Sequence, residues 1–371
     1  ANKAQTAAEE IITEIERSIE KSIPGSDFTF GAVSADVFAN ASQVSDLTVK
    51  LNGETLVTAN SLVMSGDELI LKRAEFTGVE GFSKSDSADL NFSIKSILLA
   101  DTDIVSVYKL VDELKFNPVA VIEAFNDISI GELDFREIFF TVDVKGEEVF
   151  NLNGGLQLSG IKNGEIQTLN MAGSLKDKHG ELVGDAISGS LTNINITGFD
   201  FGNLLTAVAM EDEQLLLAQL QNGFGIRMVS IDGLVANIDD ELKASLTNGQ
   251  IEIRDNVIKS ITLNDFSFIL EDEEVALDIG KAHFKGLDLG LDYSSEVGTI
   301  ENSAQFYGLT DIGLNNVSFI TEGEEFGISE LSLADVVFED GLIVKSTINL
   351  NGIRIPITLI AAMNRSVASY I

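Results

Sequence analysis

One sequence grammar is written three times in this chain. An amphipathic, helix-like stretch closes on Gly, Asn or Asp, and a strand of alternating apolar residues follows. The strand openings are Phe28, Phe30 and Val33; Ile128, Ile130 and Leu133; and Ile226, Met228 and Ile231. They start 100 and 98 residues apart. Such a spacing limits the fold sharply, because a repeat that cannot bury its apolar face alone must bury it against the next one. It predicts three units in one continuous elongated body. Residues 1–127 hold a helix and a first β unit ending in a helical region at 103–126. Residues 128–225 hold a second β unit ending in a helix at 203–221, and 226–371 hold a third, longer β unit. The expected class is α+β and β-dominated, with antiparallel meanders or curled sheets.

The helical expectation rests on periodicity. Ile11, Ile12, Ile15, Ile19 and Ile23 recur at helical spacing within 3–23, and Pro24 and Gly25 end the run. Ile104, Tyr108, Val111 and Leu114 make a second stripe, which Asn117 and Pro118 restart as cap and first helical residue. Leu204, Leu205, Val208, Leu215, Leu216 and Leu220 make a third, and a fourth is expected over 359–370. Between these stretches the period falls to two, as at Phe266, Phe268 and Leu270, or Leu287, Leu289 and Leu291. That alternation marks strands with one apolar and one polar face. Asn-Gly or Asp-Gly at 52–53, 153–154, 163–164, 232–233, 248–249, 340–341 and 351–352 reads as a set of hairpin turns. Several hairpins have acidic tips: those at Glu54, at Glu147 and Glu148, at 271–274 and at 322–325, with 239–241 as a fifth.

Charge narrows the partners. Fifty-nine acidic residues stand against 24 basic ones, a net charge of −35. Such a surface repels phosphate backbones and anionic lipid headgroups, so no nucleic-acid partner is expected. A cationic or envelope protein partner, or divalent ions, fit better. Hydrophobic residues reach 44%, enough for a large core. The chain has no Cys, which excludes disulfides and Cys-ligated zinc. No apolar run is long enough to span a bilayer, so no integral membrane segment is expected in the visible chain. Ala1 at the start suits a processed secretory chain or a trimmed one, with any signal peptide or anchor outside the sequence.

The sequence offers no reaction. His179 and His283 are its two histidines, and no G-x-S-x-G, P-loop or H-E-x-x-H motif occurs. No enzyme activity, cofactor or resident metal is expected. Calcium at acidic tips such as Asp239, Asp240 and Glu241 is the alternative, though none matches an EF-hand loop. The stronger lead is apolar surface. Long alternating strands give a continuous greasy sheet face, which in water must curl, dimerise or hold a guest. Phe266, Phe268, Phe284, Leu289 and Leu291 are the candidate lining for an apolar ligand such as lipid. The alternative function is a structural or adhesive β-repeat scaffold, stiffened by calcium, with no ligand.

The stretch from Phe28 and Phe30 through Val44, Leu47, Val49, Leu51, Leu56, Ala59 and Leu62 to Met64 resembles AsmA/TamB-like envelope proteins. Residues 300–333 have a similar cadence. The resemblance is one of strand pattern, over about half the chain. It implies a taco-like β-groove carrying lipid along an apolar lining in the bacterial envelope, periplasmic or extracellular. The membrane helix that usually opens the family is not in this sequence, and regular helices between strand blocks are not typical of it.

Overall fold

A computed structural model describes residues 13, 16–17, 25–36, 41–66, 70–84, 88–103, 128–180, 182, 184–200, 202, 225–239, 241–254, 257–272, 274–286, 288–292, 303–308, 310–339 and 342–356. Among the described residues nineteen strands are formed: β1 Ser26–Thr29, β2 Val33–Asp36, β3 Ala41–Leu51, β4 Glu54–Gly66, β5 Ile70–Lys84, β6 Asp89–Asp103, β7 Ser129–Val144, β8 Glu147–Lys162, β9 Glu165–Asp177 and β10 Ile187–Asp200. They continue as β11 Met228–Ile238, β12 Leu242–Arg254, β13 Val257–Leu270, β14 Val275–Lys285, β15 Asp288–Asp292, β16 Ser303–Gly308, β17 Asp311–Thr321, β18 Glu324–Glu339 and β19 Leu342–Arg354.

Strand makes up 85% of the described residues and helix 2%, so the α component of the expected α+β class is not shown among them. The four expected helices lie outside the described residues, apart from Thr13, Glu16 and Arg17, which are helical, and Asp103. Asp103 is a correction to the second helix, because β6 runs through it while paired to Ile70 of β5. All three repeated openings do enter strands, at β1, β7 and β11.

Contacts divide the chain into two compact units. The first takes Ala1–Leu182, Asn195–Leu220 and Phe224–Ile226, and the second Val183–Ile194, Gln221–Gly223 and Arg227–Ile371. In the first unit β3 through β9 form an antiparallel meander, each paired to the next, with β1 and β2 both paired to β3. In the second, β11, β12, β13, β14, β17, β18 and β19 pair in that order. The β15–β16 ribbon continues the β14–β17 hairpin beyond Gly286 and Thr310.

Some turns form where the sequence placed them. Asn52 and Gly53, and Asn163 and Gly164, join paired strands through two residues with positive φ, the geometry that matches strand twist. Lys145 with Gly146 and Glu322 with Gly323 do the same. Four expected turns are not turns. Positions 153–154, 232–233, 248–249 and 351–352 lie inside β8, β11, β12 and β19.

The reason is a device that period-two reading does not detect. Strands in both units are creased in register. At a crease one cross-strand pair is skipped, while the pairs on either side keep the same register. In the second unit the skipped positions are Gly233, Thr247, Asp265, Gly280, Asn316, Ser329 and Gly352, one per strand from β11 to β19. Every second one has positive φ: Gly233 at 60°, Asp265 at 49°, Asn316 at 51° and Gly352 at 65°. In the first unit Asp46, Asn60, Gly78, Lys95 and Glu137 form such a line from β3 to β7. There φ is again positive on alternate strands, at Asp46, Gly78 and Glu137.

On alternate strands a left-handed residue breaks the strict alternation of side chains, and the strands between, as at Asn60 and Gly131, shift phase at the same line without positive φ, so apolar residues stay on one face. Val44 and Leu47 are three apart, flank Asp46, and belong to one buried cluster. Ala59 and Leu62 flank Asn60 in that same cluster. Ile130 and Leu133 flank Gly131, and Leu158 and Ile161 flank Gly160, within a second cluster. A left-handed L-residue costs roughly 1–2 kcal/mol, less for Asn or Asp and little for Gly. Turning two aliphatic side chains to the wrong face would forfeit roughly 1.5–3 kcal/mol each. The crease therefore wins. Glycines there meet a side chain from the adjacent strand: a Cβ on Gly78 would lie 2.1 Å from Asn60 Nδ2, and one on Gly352 2.2 Å from Ser329 Oγ.

Candidate functional site

Directly opposed residues in an antiparallel pair share a face. The registers of the second unit therefore assemble its apolar side chains into rows that cross the strands. One row reads Leu234, Leu246, Phe266, Ile279, Val317, Ile328 and Ile353. A second reads Val229, Ile251, Ile261, Phe284, Ile312, Leu333 and Ile348. Phe268 lies in a third, between Ala244 and Leu277. The rows on the two sides of the crease lie on one face. A Cβ built on Gly249 would lie 3.0 Å from Leu246, before the crease, and 3.3 Å from Leu263, opposite it on β13.

Three of the five residues expected to line a site, Phe266, Phe268 and Phe284, thus lie on this face, on β13 and β14, and all three are half-buried. Leu289 and Leu291 lie on β15, paired with Phe306 and Ala304 of the ribbon. They are separated from Phe284 by Gly286, whose φ is +60° and whose Cβ position is filled by Thr310.

The open part of the face is elsewhere. Exposure peaks on and just beyond β19, at Ile348 (64%), Leu350 (49%), Ile353 (55%) and Ile355 (45%). Within the second unit these are the last positions of the rows: Ile348 is opposite Leu333, Leu350 opposite Leu331 and Ile353 opposite Ile328. Toward β12 and β14 the face closes over Leu246 (7%) and Ala282 (2%). Reading strands singly missed the β19 residues. Their signal was present in the sequence, since Ile348, Leu350, Ile353 and Ile355 repeat the phase shift of Ile261, Leu263, Phe266 and Phe268.

The turns beside this face carry charge. A meander brings every second turn to the same end of its sheet, so those after β11, β13 and β17 share one end. Ten of the eleven residues in 239–241, 271–274 and 322–325 are Asp or Glu. Among the described residues, Lys243 Nζ lies 2.7 Å from Glu271 and Arg354 Nη1 lies 3.2 Å from Glu325. Among the described residues no group of three or more His, Cys, Asp or Glu is arranged to hold a metal ion.

The two histidines occupy different settings. His283 Nε2 lies 2.7 Å from Asp311 Oδ1, with its ring over Gly313 on the polar face. His179 Nε2 lies 3.4 Å from Glu147, exposed to solvent. A concavity of about 580 Å³ lies near the first pair, lined by Lys285, Thr310, Asp311, Asp335, Val337 and Lys345 among others. Beside it Gly286 and Asp335 have positive φ, and the register between β18 and β19 shifts after Ala334. Among the described residues no helix is long and apolar enough to cross a membrane. Compared with known protein families, curated proteins and solved structures, the chain matches none.

Proposed function

We propose that this protein binds or passes an apolar molecule, such as the hydrocarbon chain of a lipid, on the open apolar face of its second unit. The observation that carries this reading is the run of exposed side chains at Ile348, Leu350, Ile353 and Ile355, continuous with half-buried rows across the sheet. Covering one methylene is worth roughly 0.8 kcal/mol, so a dozen carbons give useful affinity without specific polar contacts. The resemblance to AsmA/TamB-like proteins supports the same reading and a place in the cell envelope, periplasmic or extracellular. In this reading the repeated unit is a helix followed by strands, the body is elongated, and an envelope protein is a second partner.

Mass spectrometry of an organic extract of natively purified protein tests it. Lipid is expected in the wild type and lost in the double variant Leu350→Asp with Ile353→Asp, whose exposed positions leave the fold intact. An empty extract, together with no uptake of added lipid, would overturn the reading. A scaffold is the second reading, favoured by the sealed clusters of the first unit. It is supported if the protein takes up no apolar molecule and millimolar Ca²⁺ raises its melting temperature.

A further inference from the structure

Resting on the proposed binding of an apolar chain, we propose that the ligand is a single-chain or chain-by-chain-bound amphiphile with a cationic head group. Its tail lies along β19 and its head sits at the acidic turns. The exposed strip from Ile348 to Ile355 is one side chain wide. Over seven residue steps it runs about 23 Å at the rise of a strand. A hydrocarbon chain matches that width, whereas an amphipathic helix about 10–12 Å across does not.

The strip leads toward one particular end of the sheet. Ile353 is opposite Ile328 and Arg354 is opposite Gly327, and β18 begins at Glu324, next to the turn at Glu322 and Gly323. That turn and the two in line with it carry the acidic residues, with neighbouring turns about 10 Å apart at two strand spacings. The placement is not general to the chain. In the first unit the corresponding segments 52–54, 85–88 and 145–148 hold four acids among eleven residues, against ten of eleven here. Acid is therefore denser at the turns beside the open face. An anionic head beside Ile353 would meet Glu322, Glu324 and Glu325, and a cationic one would be drawn to them. Arg354 already places a guanidinium against Glu325, so this end accommodates a cation beside the apolar strip.

The test uses the full chain and three dodecyl amphiphiles below their micellar concentrations: trimethylammonium, maltoside and sulfate, each titrated by calorimetry. Trimethylammonium is expected to bind about tenfold more tightly than maltoside, the size that two or three exposed charge pairs supply. Sulfate is expected to bind most weakly. The preference should shrink in high salt. It should also vanish in the variant E271Q/D272N/E322Q/E324Q while maltoside binding persists. It should remain in a control variant that removes four acids from the first unit, E54Q/E80Q/E147Q/E165Q.

Equal binding of all three heads, or loss of preference in the control variant as well, overturns the head-group assignment and leaves the apolar site standing. No binding of any dodecyl chain overturns the site itself. Binding of a Lys- and Leu-patterned amphipathic helix, with none of the amphiphiles bound, overturns the proposal in favour of a protein partner.

Discussion

The two units are built from the same creased meander and cover its apolar face to different degrees. In the first unit Val44, Leu62, Ile161 and Ile166 are 0–2% exposed and anchor two packed clusters. In the second, the buried apolar residues described are Leu246, Ala282, Val336 and Pro356, and exposure climbs to 64% at Ile348. The first unit has exposed apolar side chains as well, such as Met171 and Leu175 on β9. The contrast is that its face also holds closed clusters, while the second unit's face opens continuously toward β19. The same backbone device thus yields a core in one place and an accessible surface in another, and the turns differ in charge to match.

Paired truncations test that contrast most severely. Leu62→Ala should destabilise the protein by about 2–5 kcal/mol in a denaturant titration, as expected for a cavity in a sealed core. Ile353→Ala should cost less than about 1 kcal/mol, because its side chain is already half in water. Equal losses would erase the distinction between the units.

Creases should respond alike in both. Gly78→Ala and Gly352→Ala each place a Cβ against a neighbouring side chain at positive φ, and each should cost about 1–3 kcal/mol. Asp265→Val puts a β-branched residue at φ 49° and should cost about as much, while Asp265→Asn should be tolerated. Thermal melts distinguish the pair. A harmless Asp265→Val would mean that the left-handed residue is not needed to hold the crease.

The smallest effect concerns charge in the first unit. Lys178 hydrogen-bonds Glu148 and holds its carboxyl below the usual range, with Asn151 and Lys176 adding to this. A carboxylate depressed in the folded state contributes stability above its ordinary pKa, and the contribution fades as pH falls through the depressed value. Lys178→Met should move the Glu148 titration upward in a carboxyl NMR experiment. Both groups are well solvated, so the melting temperature at neutral pH should barely change. An unmoved titration would show that the contact does not set the carboxyl.

Much of this architecture was legible in the sequence and part of it was not. Alternation located strands, and Asn52 with Gly53 located a turn, because those signals are local. Asn351 with Gly352 carries the same local signal and lies inside β19, since positive φ serves a crease as well as a reversal. Phe266, Phe268 and Phe284 were placed on the apolar face by alternation alone. That alternation could not show how much of each ring is covered, because coverage depends on neighbouring strands. The β19 residues were missed for the same reason. Exposure is a property of the end of the rows, and single-strand periodicity does not locate that end.

The central claim is that the second unit's apolar face is open to a guest where the first unit's is sealed. The absence of Cys makes the direct measurement clean. Single cysteines at positions 353 and 62 are labelled with a water-soluble maleimide, with and without a saturating dodecyl amphiphile. Position 353 should react quickly in the free protein and be protected by the amphiphile, while position 62 should stay unreactive in both states. A slow reaction at 353 in the free protein would show the face to be covered by the chain itself and would contradict the account.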